Sequence, residues 1–402
     1  MAIKTLKNFK LKNKKVLLRL DLNSPVVDGK VEDSPRIKEG AETIELLAKE
    51  GAKIAVIAHQ GRKGDRDFVP LVQHADLLKK YTSASIEYVD DLFSQTAQEK
   101  IDSLKPGQTI ILKNVREFDD EKNLKDKNNR YKSLCKLFDV YINDAFSVCH
   151  REQGSIILTA KYLPSCMGPH LQKEVESIKK FDPKSSKKGI FFIGGQKIED
   201  YIPIFNVLKN KKNIVIASGV LANLFYVSIG KDLGYENTTV KANGQEPLIP
   251  ILKKLYKKYP QQIILPIDFA IGDPDIKKAT TRIEATIENA PFKEKIWDIG
   301  SKSIEIYKKH LSNADTVFMK GPLGYSELPQ FSKATVEILS YISKVSKENG
   351  VFSLLGGGHL TTSIQKYNIQ DNFSHISTSG GALIAFISGE KLPGIEVLKK
   401  IK

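Results

Sequence analysis

The feature that most constrains the fold is the alternation of short β-rich runs with amphipathic segments along the whole chain of 402 residues. The predicted strands, rich in Val, Ile and Leu, are Val16–Leu20, Ile54–Ala58, Ile110–Lys113, Val140–Ile142, Ile190–Ile193, Ile214–Ala217, Ile263–Pro266, Thr316–Met319 and Val351–Leu355. Apolar residues with helical spacing predict helices between them, over Ile37–Glu50, Ile251–Lys258, Ser303–His310 and Thr335–Asn349. Such alternation predicts an α/β fold with mainly parallel sheets and helices on both faces.

The number of predicted strands would strain a single sheet, so the chain is expected to form two doubly wound, Rossmann-like domains. The predicted division follows Met167-Gly168-Pro169, where a charged helix (His170–Phe181) leads into a polar stretch and a new strand. We therefore predict an N-terminal domain over residues 1–168 and a second domain over residues 169–388, joined by a hinge helix.

Composition narrows the class of protein. Apolar residues make up 41% of the chain and charged residues 27%, as in soluble globular proteins. The three cysteines lack metal-ligand spacing, and the first residues lack the apolar core of a signal peptide, so a reducing, cytoplasmic location is predicted. The apolar run Ile214–Ile229 is interrupted by polar residues and predicts a buried strand and helix rather than a membrane span.

The net charge of +15 leaves two interpretations open. A nucleic-acid-binding protein would use its lysines to neutralise phosphates. However, the lysines occur as short pairs spread along predicted helices, without a basic tail, which is typical of solvated helix faces. The charge is equally consistent with small anionic substrates.

A glycine-rich loop, Gly356-Gly357-Gly358-His359, follows the predicted strand Val351–Leu355 and precedes residues that can begin a helix. Backbone N–H groups can approach a ligand closely at such a turn, and the positive end of the helix favours an anion such as phosphate. A plain strand-to-helix connection is the alternative. A similar loop, Gly194-Gly195-Gln196-Lys197, favours the phosphate interpretation.

Arginine and histidine residues follow the predicted strands of the first domain. Because ligands bind beyond the carboxyl ends of strands in open parallel sheets, and guanidinium groups bind phosphate and carboxylate in a bidentate manner, these residues predict a cage for a small anion. Its arginines are Arg36, Arg62, Arg116 and Arg151, with His59 and His150 nearby.

The second domain has a different set of residues after its strands. Glycine loops there suit phosphates, Lys197 supplies charge, and Glu327 could accept hydrogen bonds from ribose hydroxyls. No GxxxxGK[ST] or GxGxxG motif is present. An anion cage and a nucleotide-binding loop set on separate domains predict phosphoryl transfer.

At this level of detail the chain resembles the phosphoglycerate kinases over essentially its whole length. The segments that carry the resemblance occur in the family's order: Arg19-Leu20-Asp21-Leu22-Asn23-Ser24-Pro25, Asp33-Ser34-Pro35-Arg36-Ile37, His59-Gln60-Gly61-Arg62, Asn114-Val115-Arg116, Asn143-Asp144-Ala145-Phe146 with His150-Arg151, Gly194-Gly195-Gln196-Lys197, Gly321-Pro322-Leu323-Gly324 through Glu327, and Ser374-His375-Ile376-Ser377-Thr378.

The resemblance implies a role for each matching position. It implies that 3-phosphoglycerate is bound by Asp21, Leu22, Asn23, Arg36, His59, Gln60, Gly61, Arg62, Arg116 and Arg151. It implies that ATP or ADP, carrying Mg²⁺, is bound by Lys197, Gly300, Glu327, Gly356, Gly357, Gly358 and His359. Stabilisation of the transferring phosphoryl group is assigned to Arg36, Lys197, Gly380 and Gly381. It also implies that residues 389–402 return to the first domain. We expect no nucleic-acid or membrane partner, and a monomer rather than an oligomer.

The chain departs from the common pattern of the family at three single positions and in one run, Ser377-Thr378-Ser379-Gly380-Gly381, where serine-threonine-glycine is usual. His359 stands where an aspartate usually helps to hold magnesium, so the metal ligands cannot be assigned. Tyr201 stands where a second lysine is usual, and Lys320 stands where asparagine is usual. His359 and Gln60 are similar to the archaeal branch of the family. Lys320 is a candidate to supply the charge that Tyr201 does not.

The implied reaction explains why a catalytic base is not evident. The attacking group is a carboxylate, which is ionised at neutral pH, so the protein needs only to position the reactants and stabilise charge. A glycosyltransferase of two Rossmann-like domains would share the architecture, and nucleotide-sugar hydrolysis would identify it. Oligomeric state and nucleotide preference do not follow from the sequence.

Overall fold

The computed structural model describes residues 3–181, 187–195, 198–369 and 371–399. The chain forms two compact units, one comprising Met1–Glu176 with Lys391–Lys402 and the other Ser177–Glu390. The division lies inside the helix Pro169–Lys180 rather than before it, because the first turns of this helix pack with the first unit.

The first unit is built on a parallel sheet. Its strands are β1 (Lys15–Leu20), β2 (Val26–Val27), β3 (Lys30–Val31), β4 (Lys53–Ile57), β5 (Ser85–Val89), β6 (Gln108–Leu112), β7 (Val140–Asp144) and β8 (Ser165–Met167). The sheet has the order β5-β6-β4-β1-β7-β8, and β2 and β3 form a separate antiparallel pair. Strand β1 lies between β4 and β7 in parallel register, so the strand order reverses at β1.

Helices connect these strands and cover the sheet. They are α1 (Pro35–Lys49), α2 (Val72–Leu78), α3 (Gln95–Asp102), α4 (Tyr131–Cys135), α5 (Gly154–Tyr162) and α6 (Pro169–Lys180). The apolar repeat predicted for α1 is buried against the sheet through Ile37, Ala41, Ile44 and Leu47. Burial of this stripe, rather than helix propensity, is what stabilises α1.

The second unit repeats this plan. Its strands are β9 (Gly189–Ile193), β10 (Ile214–Ala217), β11 (Ile263–Ile264), β12 (Asp268–Gly272), β13 (Ile283–Thr286), β14 (Lys295–Ile299), β15 (Thr316–Lys320), β16 (Phe352–Gly356) and β17 (His375–Ser377). The main sheet is parallel, with the order β11-β10-β9-β15-β16-β17, and its strand order reverses between β9 and β15. Strands β13, β12 and β14 form a small antiparallel sheet.

The helices that follow in chain order are α7 (Gly219–Ser228), α8 (Tyr235–Ala242), α9 (Ile249–Lys258), α10 (Ser301–Leu311), α11 (Lys333–Asn349), α12 (Gly358–Lys366), α13 (Gly381–Ile387) and α14 (Pro393–Lys399). Short 3₁₀ segments occur at Leu6–Asn8, Val115–Glu117, Asp119–Glu121, Phe146–Val148, Glu199–Lys209, Glu246–Leu248, Ile287–Asn289 and Pro329–Phe331. No helix in the described ranges is both long and apolar enough to span a membrane.

The last helix, α14, belongs to the first unit. The Gly394 amide donates to the Cys149 carbonyl at 2.9 Å, and Ile395 and Leu398 are buried. A Cβ atom at position 394 would lie 2.9 Å from the Cys149 Cα, so glycine permits this close approach.

The predicted α/β class with two largely parallel sheets is confirmed, and each predicted strand overlaps an observed one. The prediction missed the edge strands β5, β8 and β17 and the antiparallel sheet β12–β14. Strands β8 and β17 have three residues each, and β5 and β13 expose polar side chains. Strands β12 and β14 are buried but carry Asp268 and Asp298 among their apolar residues, so none of the missed strands shows a long continuous apolar run.

Candidate active site

Strand order reverses at β1 in the first unit, and polar side chains gather beyond the carboxyl ends of the strands there. Such a reversal leaves a crevice between neighbouring strand ends, where open α/β sheets bind ligands. The segments after β1, β4, β6 and β7 contribute Arg36, His59, Gly61, Arg116 and Arg151, which lie far apart in the sequence.

The Arg36 guanidinium is held from the first turn of α1 by the segment after β1. Its Nη1 donates to the Asn23 carbonyl at 2.7 Å, and its Nε lies 3.3 Å from Asp21 Oδ2. The side chain of Arg36 is 21% exposed. Asp21 and Asn23 therefore orient a guanidinium that remains accessible to a ligand.

Arg116 is fixed by the loop that follows β4. Its Nη1 donates to the Gly61 carbonyl, while the Gly61 amide donates to Asn23 Oδ1 at 2.8 Å. Gly61 has a φ of 62°, and a Cβ at this position would lie 2.5 Å from the Asp67 carbonyl oxygen. Glycine is therefore required for this turn, which connects the segments after β1, β4 and β6.

The cationic side chains of the first unit influence one another strongly. Burial, followed by the charges of Arg151 and Arg19, lowers the pKa of Arg116 to about 10. Burial, with the charges of Arg19, Arg116, Arg36 and Arg151, holds the pKa of His59 well below its ordinary value. Such mutual repulsion is relieved when an anion binds, so the cluster is suited to a small, highly charged anion.

Arg62 and Arg151 complete the set predicted from the sequence. Arg62 is exposed on the loop after β4 and lies close enough to Arg116 to lower its pKa. Arg151 is half-buried, and its Nε lies 3.2 Å from His150 Nε2. The four predicted arginines therefore occupy one region of the first unit.

Two predicted substrate ligands have their side chains engaged in the protein itself. The Leu22 side chain is buried and packs against Gly40 of α1, so only its backbone could reach a ligand. The Gln60 amide is also buried. Its Oε1 accepts from the Ser24 amide at 2.9 Å and its Nε2 donates to the Ser24 and Asp67 carbonyls, both at 3.0 Å. Through these hydrogen bonds Gln60 connects the loop after β4 to the segment after β1.

From His74, which contacts Gln60, we predict that the free energy of unfolding falls as the pH is lowered. His74 Nε2 lies 3.0 Å from Gln60 Oε1, and burial lowers the pKa of His74 to about 4. The unfolded chain therefore binds a proton near pH 6.5 that the folded chain binds only near pH 4. Lowering the pH from 7 to 5 should cost about 2 kcal/mol of unfolding free energy through this residue. Denaturant titrations at both pH values, repeated on His74→Gln, should show a smaller difference for the variant, and an equal difference would contradict the prediction.

The second unit contains a cavity of about 900 Å³ at the point where its strand order reverses. Its lining residues come from the segments after β9, β10, β15, β16 and β17, from α8 and from strands β12 and β14. They include Gly195, Gly219, Tyr201, Lys320, Gly321, Glu327, Gly357, Gly358, His359, Gly380 and Gly381. This volume is ample for a nucleotide.

Glycines at 194 and 321 allow the ends of β9 and β15 to meet beside the cavity. The Gly194 amide donates to the Lys320 carbonyl at 2.8 Å. Gly321 has a φ of 76°, and a Cβ at this position would lie 2.5 Å from the Gly194 carbonyl oxygen. A side chain at either position would push the two loops apart, so these glycines shape the floor of the cavity.

Lys320 ends β15 and is only 8% exposed. Its Nζ lies 2.6 Å from the position a Cβ would take at Gly357 and 4.0 Å from the corresponding position at Gly380. The ammonium group is therefore placed between the glycine loop that precedes α12 and the start of α13. Backbone N–H groups and a positive charge converge there, as in phosphate-binding sites.

Tyr201 lines the same cavity but cannot supply positive charge. It is buried, and burial raises the pKa of its phenol, so the side chain stays neutral. Its hydroxyl lies 3.3 Å from the position a Cβ would take at Gly195. Lys197, which the sequence assigns to phosphate, lies outside the described residues.

Glu327 and His359 pair at the glycine loop. His359 Nδ1 lies 3.4 Å from Glu327 Oε1, and the side chains are 78% and 48% exposed. Within the described ranges no three His, Cys, Asp or Glu side chains come together as a metal-binding group. At this loop the described residues offer the single carboxylate–imidazole pair of Glu327 and His359 rather than such a group.

Gly300 occupies a helix-capping position beside the buried carboxylate of Asp268. That carboxylate accepts from the backbone amides of Lys302 and Ser303, at 2.9 and 2.8 Å, at the start of α10. A Cβ at Gly300 would collide with it. The predicted nucleotide-binding role of Gly300 remains a prediction, and its contact in the structure is this cap.

Several residues for which no role was predicted from the sequence lie in these sites. Arg19 is fully buried and contacts His59 in the first unit. Lys295 and Trp297 of β14 line the cavity in the second unit, with Lys295 Nζ 3.8 Å from the centre of the Trp297 ring. An ionisable residue inside an apolar strand, such as Arg19 in Lys15–Leu20, was the available signal.

Comparisons with known proteins agree with this arrangement. The family model described as phosphoglycerate kinase matches residues 6–390. The phosphoglycerate kinase of Methanopyrus kandleri is 35% identical over 98% of this chain and 97% of its own length, and that of Pyrococcus horikoshii is 35% identical with the same coverage.

Solved structures give the same result. A crystal structure of the Pyrococcus horikoshii phosphoglycerate kinase superposes with a TM-score of 0.88 at 34% identity, covering 98% of each chain. The Coxiella burnetii phosphoglycerate kinase superposes with a TM-score of 0.81 at 28% identity, covering 100% of each chain. With the family matched along nearly the full length in both sequence and structure, this chain belongs to the phosphoglycerate kinase family.

Proposed function

We propose that this chain catalyses the reversible transfer of a phosphoryl group between ATP and the carboxylate of 3-phosphoglycerate, giving ADP and 1,3-bisphosphoglycerate, in glycolysis and gluconeogenesis. Membership of the family supports a kinase with this activity. The observation that supports the proposal is that the two units contain different candidate binding sites. One unit holds clustered arginines at its strand reversal, and the other holds a glycine-lined cavity with a buried lysine.

In the first unit, the arginine cluster is proposed to bind 3-phosphoglycerate. Arg36, oriented by Asp21 and the Asn23 carbonyl, would contact the reacting carboxylate and the transferring group. Arg116, Arg151, Arg62 and His59 would hold the remaining anionic groups. The nucleophile is a carboxylate with a reference pKa near 4, so it attacks without a general base.

In the second unit, the cavity is proposed to bind the nucleotide. Gly356-Gly357-Gly358 and the start of α12 would hold the phosphates through backbone N–H groups, with Gly380 and Gly381 contributing at α13. Glu327 is placed to accept from ribose hydroxyls. Lys197 and Lys320 would supply positive charge. Transfer requires the two bound substrates to meet, so we expect a hinge motion during turnover.

Magnesium is proposed to arrive as part of the nucleotide substrate. A divalent ion on the phosphates would offset the charge that develops on the transferring group. This fits a glycine loop at which Glu327 is paired with His359, and at which the described side chains form no group of three metal-binding residues. We also propose that the enzyme is cytoplasmic and monomeric.

The test is a coupled assay of the purified full chain. 1,3-Bisphosphoglycerate formed from ATP, Mg²⁺ and 3-phosphoglycerate should be reduced by added NADH and glyceraldehyde-3-phosphate dehydrogenase, with turnover of about 1–100 per second. Formation of product that requires all three components supports the proposal. Hydrolysis of ATP or of a nucleotide sugar without 3-phosphoglycerate dependence would refute it.

A further inference from the structure

A fully buried arginine contacts His59, a member of the arginine cluster of the first unit. Arg19 is on β1, at the centre of the parallel sheet, and is 0% exposed. Its Nη2 lies 3.1 Å from His59 Nδ1, its Nε donates to Ser155 Oγ at 3.1 Å, and its Nη1 donates to the Leu20 carbonyl. All three nitrogens of the guanidinium therefore have partners in the protein.

The chemistry of this contact determines where the proton of His59 lies. A guanidinium group can only donate hydrogen bonds, so His59 Nδ1 must accept from it and cannot carry a proton. A neutral imidazole with an accepting Nδ1 carries its single proton on Nε2. We infer that Arg19 is a positioning residue that fixes His59 as the neutral Nε2–H tautomer, so that His59 offers the anionic substrate an uncharged donor. The substrate part of this inference rests on the proposed function.

The position of Arg19 is fixed by a buried hydrogen-bond network that includes Ser155, Glu121 and Tyr131. Ser155, which accepts from Arg19 Nε, donates through its Oγ to Glu121 Oε1 at 2.7 Å. Glu121 Oε2 accepts from the Tyr131 hydroxyl at 2.7 Å and from the Ser155 amide at 2.9 Å. Burial raises the pKa of Glu121, while the charge of Arg19 acts to lower it, so the Glu121 carboxyl group and the Arg19 guanidinium are electrostatically coupled.

The charges that surround His59 act in the same direction. The imidazolium form is disfavoured by Arg116, from the segment after β6, by Arg36, from α1, and by Arg151, from the segment after β7. His59 is 5% exposed. The acidic groups nearby are already engaged, Asp21 with Arg36 and Glu121 with Ser155 and Tyr131. A neutral ring adds a hydrogen bond to an anion without adding a further cation to a crowded cluster.

This arrangement predicts how affinity for substrate depends on pH. An ordinary histidine would gain charge below pH 6.5 and strengthen anion binding. With His59 held neutral, the KM for 3-phosphoglycerate should not change because of this residue between pH 6 and pH 8. The contribution of His59 to the KM would then come only from the hydrogen-bond donor at its Nε2.

Nitrogen NMR of the full-length protein with labelled histidine tests the tautomer directly. The expected His59 spectrum at pH 7 shows a protonated Nε2 and an unprotonated Nδ1, unchanged at pH 6. A protonated Nδ1, or an imidazolium at pH 6, would overturn the inference. This readout is independent of turnover, so it separates failure of the inference from failure of the proposed kinase activity.

Two sets of variants extend the test. His59→Gln keeps a donor near the Nε2 position and should raise the KM for 3-phosphoglycerate only a few-fold, whereas His59→Asn removes it and should raise the KM about tenfold or more. Equal effects would overturn the role of the Nε2 donor.

The double variant Arg19→Met with Glu121→Gln removes both buried charges together, and should give a mixture of tautomers at His59, whereas Glu121→Gln alone should not. A pure Nε2–H tautomer in the double variant would show that Arg19 is not the positioning group.

Discussion

Replacing Arg36 with alanine is expected to lower kcat by about 10²–10³, the usual loss when one preorganised donor to a transition state is removed. The guanidinium is oriented by Asp21 and the Asn23 carbonyl and is 21% exposed, so its removal leaves a surface gap rather than a buried cavity. The unfolding midpoint should therefore change little. Steady-state kinetics in the coupled assay, with thermal unfolding of the same samples, would measure both effects.

The matched control is Arg66→Ala, which removes an exposed arginine from the loop after β4 that is not assigned to the cluster. Its kcat should remain near that of the wild type. Arg36→Lys should recover little activity, because a single ammonium cannot replace a bidentate guanidinium. An Arg36→Ala enzyme that keeps a normal kcat would exclude Arg36 from the mechanism.

Replacing Lys320 with methionine is expected to lower kcat/KM for ATP by about a hundredfold or more. The reason is the position of its Nζ against Gly357 and Gly380, where the phosphates of a bound nucleotide would lie. Tyr201 is neutral and cannot compensate for the lost charge. Methionine has similar length and no charge, so the packing of this buried side chain is largely retained.

Calorimetric titration separates a phosphate contact from a general defect of the cavity. The affinity of Lys320→Met for ADP and ATP should fall, while its affinity for adenosine should match that of the wild type. Lys309→Met, an exposed position on α10, serves as the control and should behave as the wild type. Unchanged ATP affinity and turnover in Lys320→Met, or an equal loss of adenosine affinity, would refute a phosphate-binding role.

The two predictions also distinguish the two half-sites. Arg36→Ala should leave calorimetric nucleotide binding unchanged, because Asp21 and Asn23, which orient its guanidinium, belong to the first unit. Lys320→Met should leave the binding of 3-phosphoglycerate alone unchanged, because Lys320 and the described residues that line its cavity belong to the second unit.

Much of the fold could be read from the local sequence. Strands such as β9 and β10 are buried along nearly their whole length, so they appear as continuous apolar runs. The loops that follow them could be recognised as ligand-binding segments because position relative to a strand end is a local property. Short edge strands such as β17 escaped because an edge strand is paired on one side only and needs no such run.

The sequence by itself determined the α/β class, the strand ends where the arginines and glycines lie, and the family. The tertiary structure decided which of those residues can meet a ligand. Leu22 and Gln60 belong to matched motifs, yet one side chain enters the core and the other braces a loop. Arg19 and His59, and likewise Lys320 and Gly357, come together across gaps of about 40 residues only when parallel strands align. A hydrogen bond depends on distance and direction in space, and no local pattern of residues encodes either.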